Sequence, residues 1–300
     1  MAGSRDTLHT TYVVNSDFVP LHVVQGSLGG GVHTLLPKLT ADGQNTFGLK
    51  PGVGGGFELQ ATYTYFFYKY VGVTAGLGFD MYSGNMHGEF ADRVYLYDRD
   101  NRMNYYLNSN YHDFKEREQL YTLSIPVGVT GRINLTDPLQ LRGTIGLGMN
   151  MIVGSHYGGE GQLETTADYP DYNLHFDSDL PQHGFSNYYM GGYNGKIDNT
   201  FPVSMFIFAD LGAHYQFDRH WGIYGGIYFS YTCFSAVRPT TDDVGRRPEL
   251  VTFNSQTKQF TYSGMINSKF VEALNPLAVG LKVGVTVTFP DPAKCNCEAW

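Results

Sequence analysis

Seven ionisable side chains lie within stretches where apolar and polar residues alternate. Alternation places every second side chain on one face of a β-strand. The polar face includes three acids, three bases and one histidine: Glu58, Asp80, Arg132, Arg142, Asp210, His214 and Lys282. Because an unpaired charge is costly in an enclosed space, we expect these groups to neutralise one another. They predict a charge network in an enclosed interior, or lumen, between the strands. We favour a salt-bridged plug that stabilises the fold; a narrow gated path for ions is the alternative.

Two glycine-rich stretches have spacings similar to those of phosphate-binding loops. They are GVGGGF at 52–57 and GTIGLG at 143–148. Phosphate loops require a turn from a strand into a helix, whereas both stretches lie inside alternating segments with no helical pattern after them. We interpret these glycines as small residues that face a narrow interior.

Hydrolytic chemistry needs a nucleophile or paired acids beside a histidine. His156, Asp242 and Asp243 have the residue types of a protease, and Ser155 beside His156 has those of a lipid deacylase. Adjacent residues of a strand face opposite ways, and nothing in the sequence brings His156 to the two acids. The sequence therefore predicts no enzyme and no catalytic residue.

Metal ligands and cysteines form no complete site. The acid-rich segments 97–101, 168–179 and 240–243 match no full calcium loop, so we predict neither a metal nor another cofactor. Cys233 lies in an alternating run and is expected to face lipid. Cys295 and Cys297 are an incomplete metal site, and we expect a disulfide between one of them and a partner protein; a metal ligand or no role are the alternatives.

Eight alternating segments position these residues. Each exceeds the roughly 9–11 residues with which a tilted strand crosses a bilayer. Short connections at 66–70, 136–138 and 218–220 alternate with long ones at 37–49, 84–118, 155–201 and 237–275, as in an up-and-down barrel. We predict an all-β fold, an eight-stranded antiparallel up-and-down transmembrane β-barrel, from the segments 22–36, 50–65, 70–83, 119–135, 139–154, 202–217, 221–236 and 276–289.

Composition supports a membrane location for these segments. Only 16% of the residues are charged, against about a quarter in an average protein, and one face of each segment is apolar without a charge. The opposite face is rich in Gly, Ser and Thr, as a narrow polar interior requires. The net charge of −8 and the absence of a Lys/Arg run exclude nucleic acid as an expected partner.

Aromatic residues concentrate where the segments meet the short connections. Their rings favour the headgroup level of a bilayer, so they predict an interfacial girdle; an ordinary aromatic core at strand ends is the alternative. The members are Tyr63, Tyr65, Phe67, Tyr70, Tyr215, Phe217, Trp221 and Phe289.

The last alternating segment carries a family resemblance. Lys282, Gly284, Val287 and Phe289 match the C-terminal β-signal of bacterial outer-membrane barrels. With the sorted connections and LSIPVGVTGRINL at 123–135, residues 20–289 resemble the transmembrane domain of OmpA-like proteins, with a Gly- and Tyr-rich composition similar to barrels of Bacteroidetes. The resemblance implies a bacterial outer-membrane location, contact with outer-membrane lipid, and recognition by the barrel-assembly machinery.

We divide the chain into three parts. Residues 1–19 are a predicted N-terminal periplasmic segment, 20–290 the barrel with four long extracellular loops, and 291–300 a periplasmic tail or the start of a linker. The N-terminus lacks the order of a secretory signal, which fits a cytoplasmic protein or, as we prefer, a form from which the signal was removed.

The predicted function is structural: a membrane anchor with a plugged lumen, whose long loops contact other outer-membrane or surface proteins. A small-conductance porin or transport accessory is the alternative. An outer-membrane hydrolase, either a protease or a lipid deacylase, ranks last.

Overall fold

The computed structural model describes residues 21–40, 48–98, 102–136, 138–198, 203–234, 247–254 and 256–290. Within these ranges no helix is long and apolar enough to cross a membrane. Most of the described residues are in β-strands, so the predicted all-β, largely antiparallel fold is confirmed for this part of the chain.

Fourteen strands and two 3₁₀-helices make up the described residues. Eight of the strands are at least twelve residues long and pair in series; we call them the ring strands. They are β1 (Leu21–Leu39), β3 (Gly55–Phe66), β4 (Val71–Asp98), β5 (Met103–Asn134), β6 (Leu139–Tyr169), β10 (Val203–Gln216), β11 (Trp221–Thr232) and β14 (Val271–Pro290). The other strands are β2 (Lys50–Gly52), β7 (Leu174–Phe176), β8 (Asp179–Leu180), β9 (Phe185–Gly195), β12 (Val251–Asn254) and β13 (Gln259–Tyr262), and the 3₁₀-helices span Pro170–Tyr172 and Pro181–His183.

The ring strands pair in an order that returns to its start. Each pairs antiparallel with its two neighbours in the series β1–β3–β4–β5–β6–β10–β11–β14, and β14 pairs with β1. The space that they enclose is called the lumen below. Because consecutive ring strands are neighbours, the residues of one parity in each strand face this lumen.

Three ring strands are much longer than the sequence predicts. The segments 84–118 and 155–169, expected as loops, continue β4, β5 and β6, which reach 28, 32 and 31 residues. The prediction of one strand at 50–65 is also wrong. Residues 50–52 form the separate strand β2, which pairs with residues 85–87 of β4, and the ring strand β3 begins only at Gly55.

A line of bulges marks where β4, β5 and β6 leave the ring. The register shifts between Gly88 and Phe90 in β4, between His112 and Lys115 in β5, and at Gly159/Gly161 where β6 pairs with β9. Bulges bend and twist a strand. Beyond them, residues 91–98, 103–112 and 160–169 form a sheet that we call the distal sheet, with β9 at the edge of β6.

Gly88 is required at this bend. Its φ of +151° is a backbone conformation that side chains disfavour, and a Cβ there would collide with the carbonyl of Gly48. The backbones of β4 and the segment before β2 therefore approach each other closely at this position.

The outside of the ring is an apolar belt. One aliphatic side chain from each ring strand, exposed by 49–70%, illustrates it: Leu28, Leu59, Leu77, Val127, Ile145, Leu211, Ile227 and Leu281. Along β14 the exposed apolar residues run from Val279 to Phe289, about 33 Å of strand or roughly 25 Å along the axis of a barrel with typical tilt.

The largest buried apolar cluster lies at the end of the ring opposite the short turns. It includes residues of a segment folded into this opening, residues 247–254 and 256–271, which we call the plug segment. Leu250, Met265, Ile266 and Phe270 of the plug segment are at most 1% exposed. They pack against ring-strand residues such as Leu120, and the opening is therefore filled by the chain itself.

Candidate functional site

A buried ion triad occupies the middle of the lumen. Lys282 Nζ of β14 lies 2.7 Å from Glu58 Oε1 of β3 and 2.9 Å from Asp210 Oδ2 of β10. It also donates a hydrogen bond to Gln60 Oε1 at 3.1 Å, and Tyr224 donates one to Asp210 Oδ1. Three of the seven predicted network residues are thus brought together from three strands.

The two arginines lie elsewhere, so the predicted pairing of Arg132 and Arg142 with the lumen acids is not what the structure shows. They face each other in register across β5 and β6, at the short-turn end, with the ring of Phe66 beside both guanidinium groups. Arg132 donates to the carbonyl of Lys69 at 2.9 Å, and Arg142 to Gln140 Oε1 at 3.1 Å. Aromatic and carbonyl groups contribute to the stabilisation of these cations.

A band of hydroxyl groups separates the arginines from the ion triad. Four threonines on successive ring strands form the band: Thr64, Thr74, Thr130 and Thr144. The Oγ1 atoms of consecutive members lie 2.7, 2.5 and 2.9 Å apart. Each hydroxyl can donate and accept, so the band satisfies polar groups across half of the lumen without any charge.

The remaining network residues, His214 and Asp80, are buried without direct contact to the triad. His214 bonds Thr286 Oγ1 at 2.7 Å. Asp80 lies opposite Glu58 in the register of β3 and β4 and is 7% exposed. The predicted residues therefore all face the lumen, but they form separate groups along it.

Little free space remains among these side chains. Two cavities, of about 40 and 20 Å³, lie within the lumen near Lys282 and Asp210. A cavity of this size holds a few water molecules at most. The lumen is therefore closely packed by polar groups around the ion triad, and the plug segment fills the opening at one end.

The plug segment is held by a carboxylate that the sequence placed in a loop. Glu116 of β5, 2% exposed, accepts hydrogen bonds from the backbone N–H of Met265 at 2.8 Å and from the hydroxyl of Tyr262 at 2.6 Å. Tyr193 Oη of β9 lies 3.4 Å from the same carboxylate. Burial raises the pKa of Glu116 above its ordinary value, and these donors oppose the shift.

The continued alternation was the available signal for this residue. Phe114, Glu116, Glu118 and Leu120 have the same parity as the lumen-facing residues further along β5 and are all buried. Their outward neighbours Lys115 and Arg117 are exposed and charged. The belt has therefore ended at this level, and Glu116 lies outside it.

The outer face of the distal sheet carries a polar and aromatic cluster. Asp168 accepts hydrogen bonds from Asn108 Nδ2 at 2.8 Å and His175 Nδ1 at 2.6 Å, and it pairs with Arg93 at 3.3 Å. The guanidinium of Arg93 lies 4.2 Å from the ring centre of Tyr106. The hydrogen bonds from Asn108 and His175 lower the pKa of Asp168, and the bond to Asp168 raises the pKa of His175.

The second ring nitrogen of His175 lies 3.2 Å from Asp177 Oδ1, so both ring nitrogens face carboxylates. Ser155 exchanges hydrogen bonds with the backbone of Ile197, whereas His156 is exposed on the outer side of β6. The structure therefore does not bring Ser155 and His156 together.

The predicted girdle residues lie at one end of the ring. Seven are exposed by 44–59%, and Tyr65 is half-buried. His22 bonds the hydroxyl of Tyr63 at 2.5 Å, and His220 lies beside Phe289. Of the predicted β-signal residues, Lys282 faces the lumen and Phe289 the outside, with Gly284 and Val287 between them.

Several predictions fall outside the described residues. They concern the segments 1–19 and 291–300, the acids Asp242 and Asp243, and the cysteines Cys295 and Cys297. Cys233 is described and exposed just beyond β11. Among the described residues, no three His, Cys, Asp or Glu side chains are grouped as a metal site.

No family model and no curated protein matches the chain. Solved structures to which it is similar include neisserial surface protein A (TM-score 0.34, 10% identity, covering 90% of this chain and 97% of that one). Others are the outer membrane protein OprG from Pseudomonas aeruginosa (0.38, 13%, 91% and 97%) and the outer membrane protease OmpT from Escherichia coli (0.32, 8%, 92% and 98%). These TM-scores are too low to assign a function, and the resemblance to OmpA-like and Bacteroidetes barrels stays a prediction.

Proposed function

We propose that the chain is an integral outer-membrane protein: a closed eight-stranded transmembrane β-barrel that anchors and displays the distal sheet. The observation that carries this proposal is an inverted arrangement of polarity. Leu77, Ile145 and Leu281 are exposed outside the ring, whereas Lys282 and its two acids are buried inside. Hiding one aliphatic side chain from water contributes about 1.5–3 kcal/mol, so a belt on every ring strand requires lipid around it.

A sealed lumen supports an anchor rather than a porin. The ion triad, the threonine band and the plug segment leave cavities of about 40 Å³ or less near the triad. A hydrated ion path needs continuous water, so cavities of this size support the anchor. In this proposal the surface that contacts partner proteins is the distal sheet instead of long loops. Two of its exposed residues, Tyr95 and Tyr97, have the amphipathic rings common in protein interfaces.

Physical state and conductance test the two parts of the proposal. Extraction from membranes should require detergent, and the unboiled protein should migrate anomalously on a gel because the folded ring resists the denaturant. Planar-bilayer recording should show no steady channels. A monodisperse monomer in plain buffer would contradict the membrane assignment, and large reproducible channels would favour the porin.

A shortened hairpin separates anchoring from display. Ala91 and Asn110 are register partners on β4 and β5, so an Asn-Gly turn replacing the residues between them should preserve the ring. This variant should insert and remain heat-modifiable. A surface or outer-membrane protein that copurifies with the parent should be lost; its retention would place the contact elsewhere.

A further inference from the structure

The opening of the lumen contains two buried carboxyl groups on neighbouring lumen-facing positions of β5. Glu116 and Glu118 are 2% and 1% exposed, and residues two apart on a strand lie about 7 Å from each other. Their surroundings differ. This difference allows one carboxyl to carry a charge and requires the other to carry a proton.

Glu116 is surrounded by donors. The backbone N–H of Met265 lies 2.8 and 2.9 Å from its two oxygens, and the hydroxyl of Tyr262 adds a third hydrogen bond. Both donors belong to the plug segment. A carboxylate that accepts several hydrogen bonds is stabilised in its charged form, so Glu116 is the first of the two to lose its proton and the point at which the plug segment is fastened.

Glu118 accepts no hydrogen bond from the described residues of the plug segment. Its Oε1 is fully buried and has no hydrogen-bond partner among the described residues. The space for the carboxyl exists because Gly84 lies opposite on β4: a Cβ at Gly84 would be 2.8 Å from Glu118 Oε2 and 3.1 Å from Leu35 Cβ. A second buried charge beside Glu116 would be unpaired and repelled.

We propose that Glu116 and Glu118 form a proton-binding latch, in which Glu116 fastens the plug segment, Glu118 holds a proton, and loss of that proton releases the plug segment from the opening. Release would also change the distal surface, since the ring of Phe260 in β13 lies 5.0 Å from that of Tyr188 in β9.

Other titratable groups around the pair leave the proton on Glu118. Three tyrosines face the pair of carboxyls: Tyr262 of β13, Tyr193 of β9 and Tyr157 of β6. Burial raises the pKa of each hydroxyl, so all three stay neutral. Asp198 lies near Tyr157 and would only add negative charge. Lys269 of the plug segment is engaged by Asp92 and Glu249, at 2.8 Å each.

The direction of the pH effect follows from these surroundings. Burial, with repulsion from Glu116 second, raises the pKa of Glu118, and release exposes the carboxyl and restores its ordinary value of 4.5. Burial raises the pKa of Glu116 as well, to about 7, so both carboxyls act in the same direction. The plug segment is therefore most firmly held below pH 4.5, and its attachment weakens as the pH rises through the two raised pKa values, that of Glu116 first. Each unit of pKa difference changes the docking equilibrium about tenfold.

Cysteine labelling of the full chain in detergent micelles measures release. In a background with the three native cysteines replaced by serine, Met265→Cys reports the buried plug and Thr257→Cys an exposed reference on the same segment. The ratio of their labelling rates with a methanethiosulfonate reagent cancels the pH dependence of the thiol chemistry. Ser268→Cys, also fully buried, replaces Met265→Cys if that variant does not fold.

The labelling ratio should rise at least about tenfold between pH 5 and pH 9 in the parent. Glu118→Gln, which imitates the protonated carboxyl, should reduce this rise to the part that Glu116 contributes, and the control Glu164→Gln on the outer face should follow the parent. A flat profile in the parent, or a Glu118→Gln profile that still rises like the parent's, would overturn the latch.

Discussion

Lys282 Nζ lies 2.7 Å from Glu58 Oε1 within the lumen, where the last ring strand pairs with the first and the first with the second. The same nitrogen lies 2.9 Å from Asp210 of a third strand, β10. One buried cation therefore connects strands from both ends of the chain. The ion triad therefore lies across the pairing that joins the last ring strand to the first.

Lys282→Met should destabilise the fold strongly. The substitution keeps most of the side-chain volume but leaves Glu58 and Asp210 as buried, unpaired charges, which costs on the order of 3–5 kcal/mol. The denaturant midpoint in micelles measures the loss. Lys38→Met, which removes an exposed ion pair with Glu272, should cost less than about 1 kcal/mol. Equal effects of the two variants would mean that the triad is hydrated and contributes little.

Leu77→Arg should identify the lipid-facing belt. Leu77 is 66% exposed near the middle of the belt, where an arginine costs about 2–4 kcal/mol in a bilayer. Tyr97→Arg, on the distal sheet and 57% exposed, is the matched control and should leave the unfolding free energy in lipid vesicles unchanged. If Leu77→Arg were also harmless, the belt would face water.

The distal cluster should hold β7 best at intermediate pH. Because the pKa of His175 is raised, its contribution to the stability of the cluster is complete below the ordinary pKa of 6.5. This contribution is lost as the pH rises through the raised pKa. The lowered pKa of Asp168 means that its contribution is present above 3.8 and lost as the pH falls through the lowered pKa. Hydrogen exchange of β7 should therefore be slowest between these limits, after correction for intrinsic rates.

Asp168→Asn tests the cause of that dependence. It removes the principal acceptor of His175, so the pKa of the imidazole, followed by NMR, should move toward 6.5. His183→Gln should leave the titration of His175 unchanged. An unchanged His175 titration in Asp168→Asn would assign the shift to Asp177, the other carboxylate in contact.

Phe289 should contribute to assembly more than to stability. Phe289→Tyr keeps an amphipathic ring at the outer surface and should insert normally. Phe289→Asp should reduce insertion in cells sharply, although a charge near the interface costs only about 0–1 kcal/mol. Refolding of the Asp variant into micelles separates the two effects. Parental levels of this variant in the membrane would show that Phe289 is not part of a β-signal.

The positions of the ring strands could be predicted because alternation depends only on neighbouring residues. Leu281, Val283 and Val285 face outward and Lys282 inward whatever the rest of the chain does. The extension of β4 and β5 was missed because the bulge between His112 and Lys115 shifts the register. Beyond it, polar and aromatic residues such as Asn108 and Tyr106 occupy the outer face, so the apolar contrast disappears.

Which side chains pair within the lumen depends on their position along the lumen axis (their height) as well as on the strand face that they occupy. Arg132 and Arg142 share a face with Glu58, but the register of β5 and β6 places them at the short-turn end beside Phe66. Height is set by strand pairing over the whole ring, which alternation does not specify. The plug segment was missed for a related reason: Met265 and Ile266 are buried only because the ring provides an opening of the right size.

The continuity of β4 and β5 has a mechanical consequence. Their pairing runs from Val71 and Gly131 at the short-turn end to Asp98 and Met103 at the distal tip, interrupted by one bulge. A partner that pulls on the tip away from the membrane loads both strands along their length. The interstrand hydrogen bonds then resist in shear, many at once, instead of opening one after another, and the tension passes directly into the wall of the lumen. The geometry of this hairpin is therefore one that resists traction along the strands.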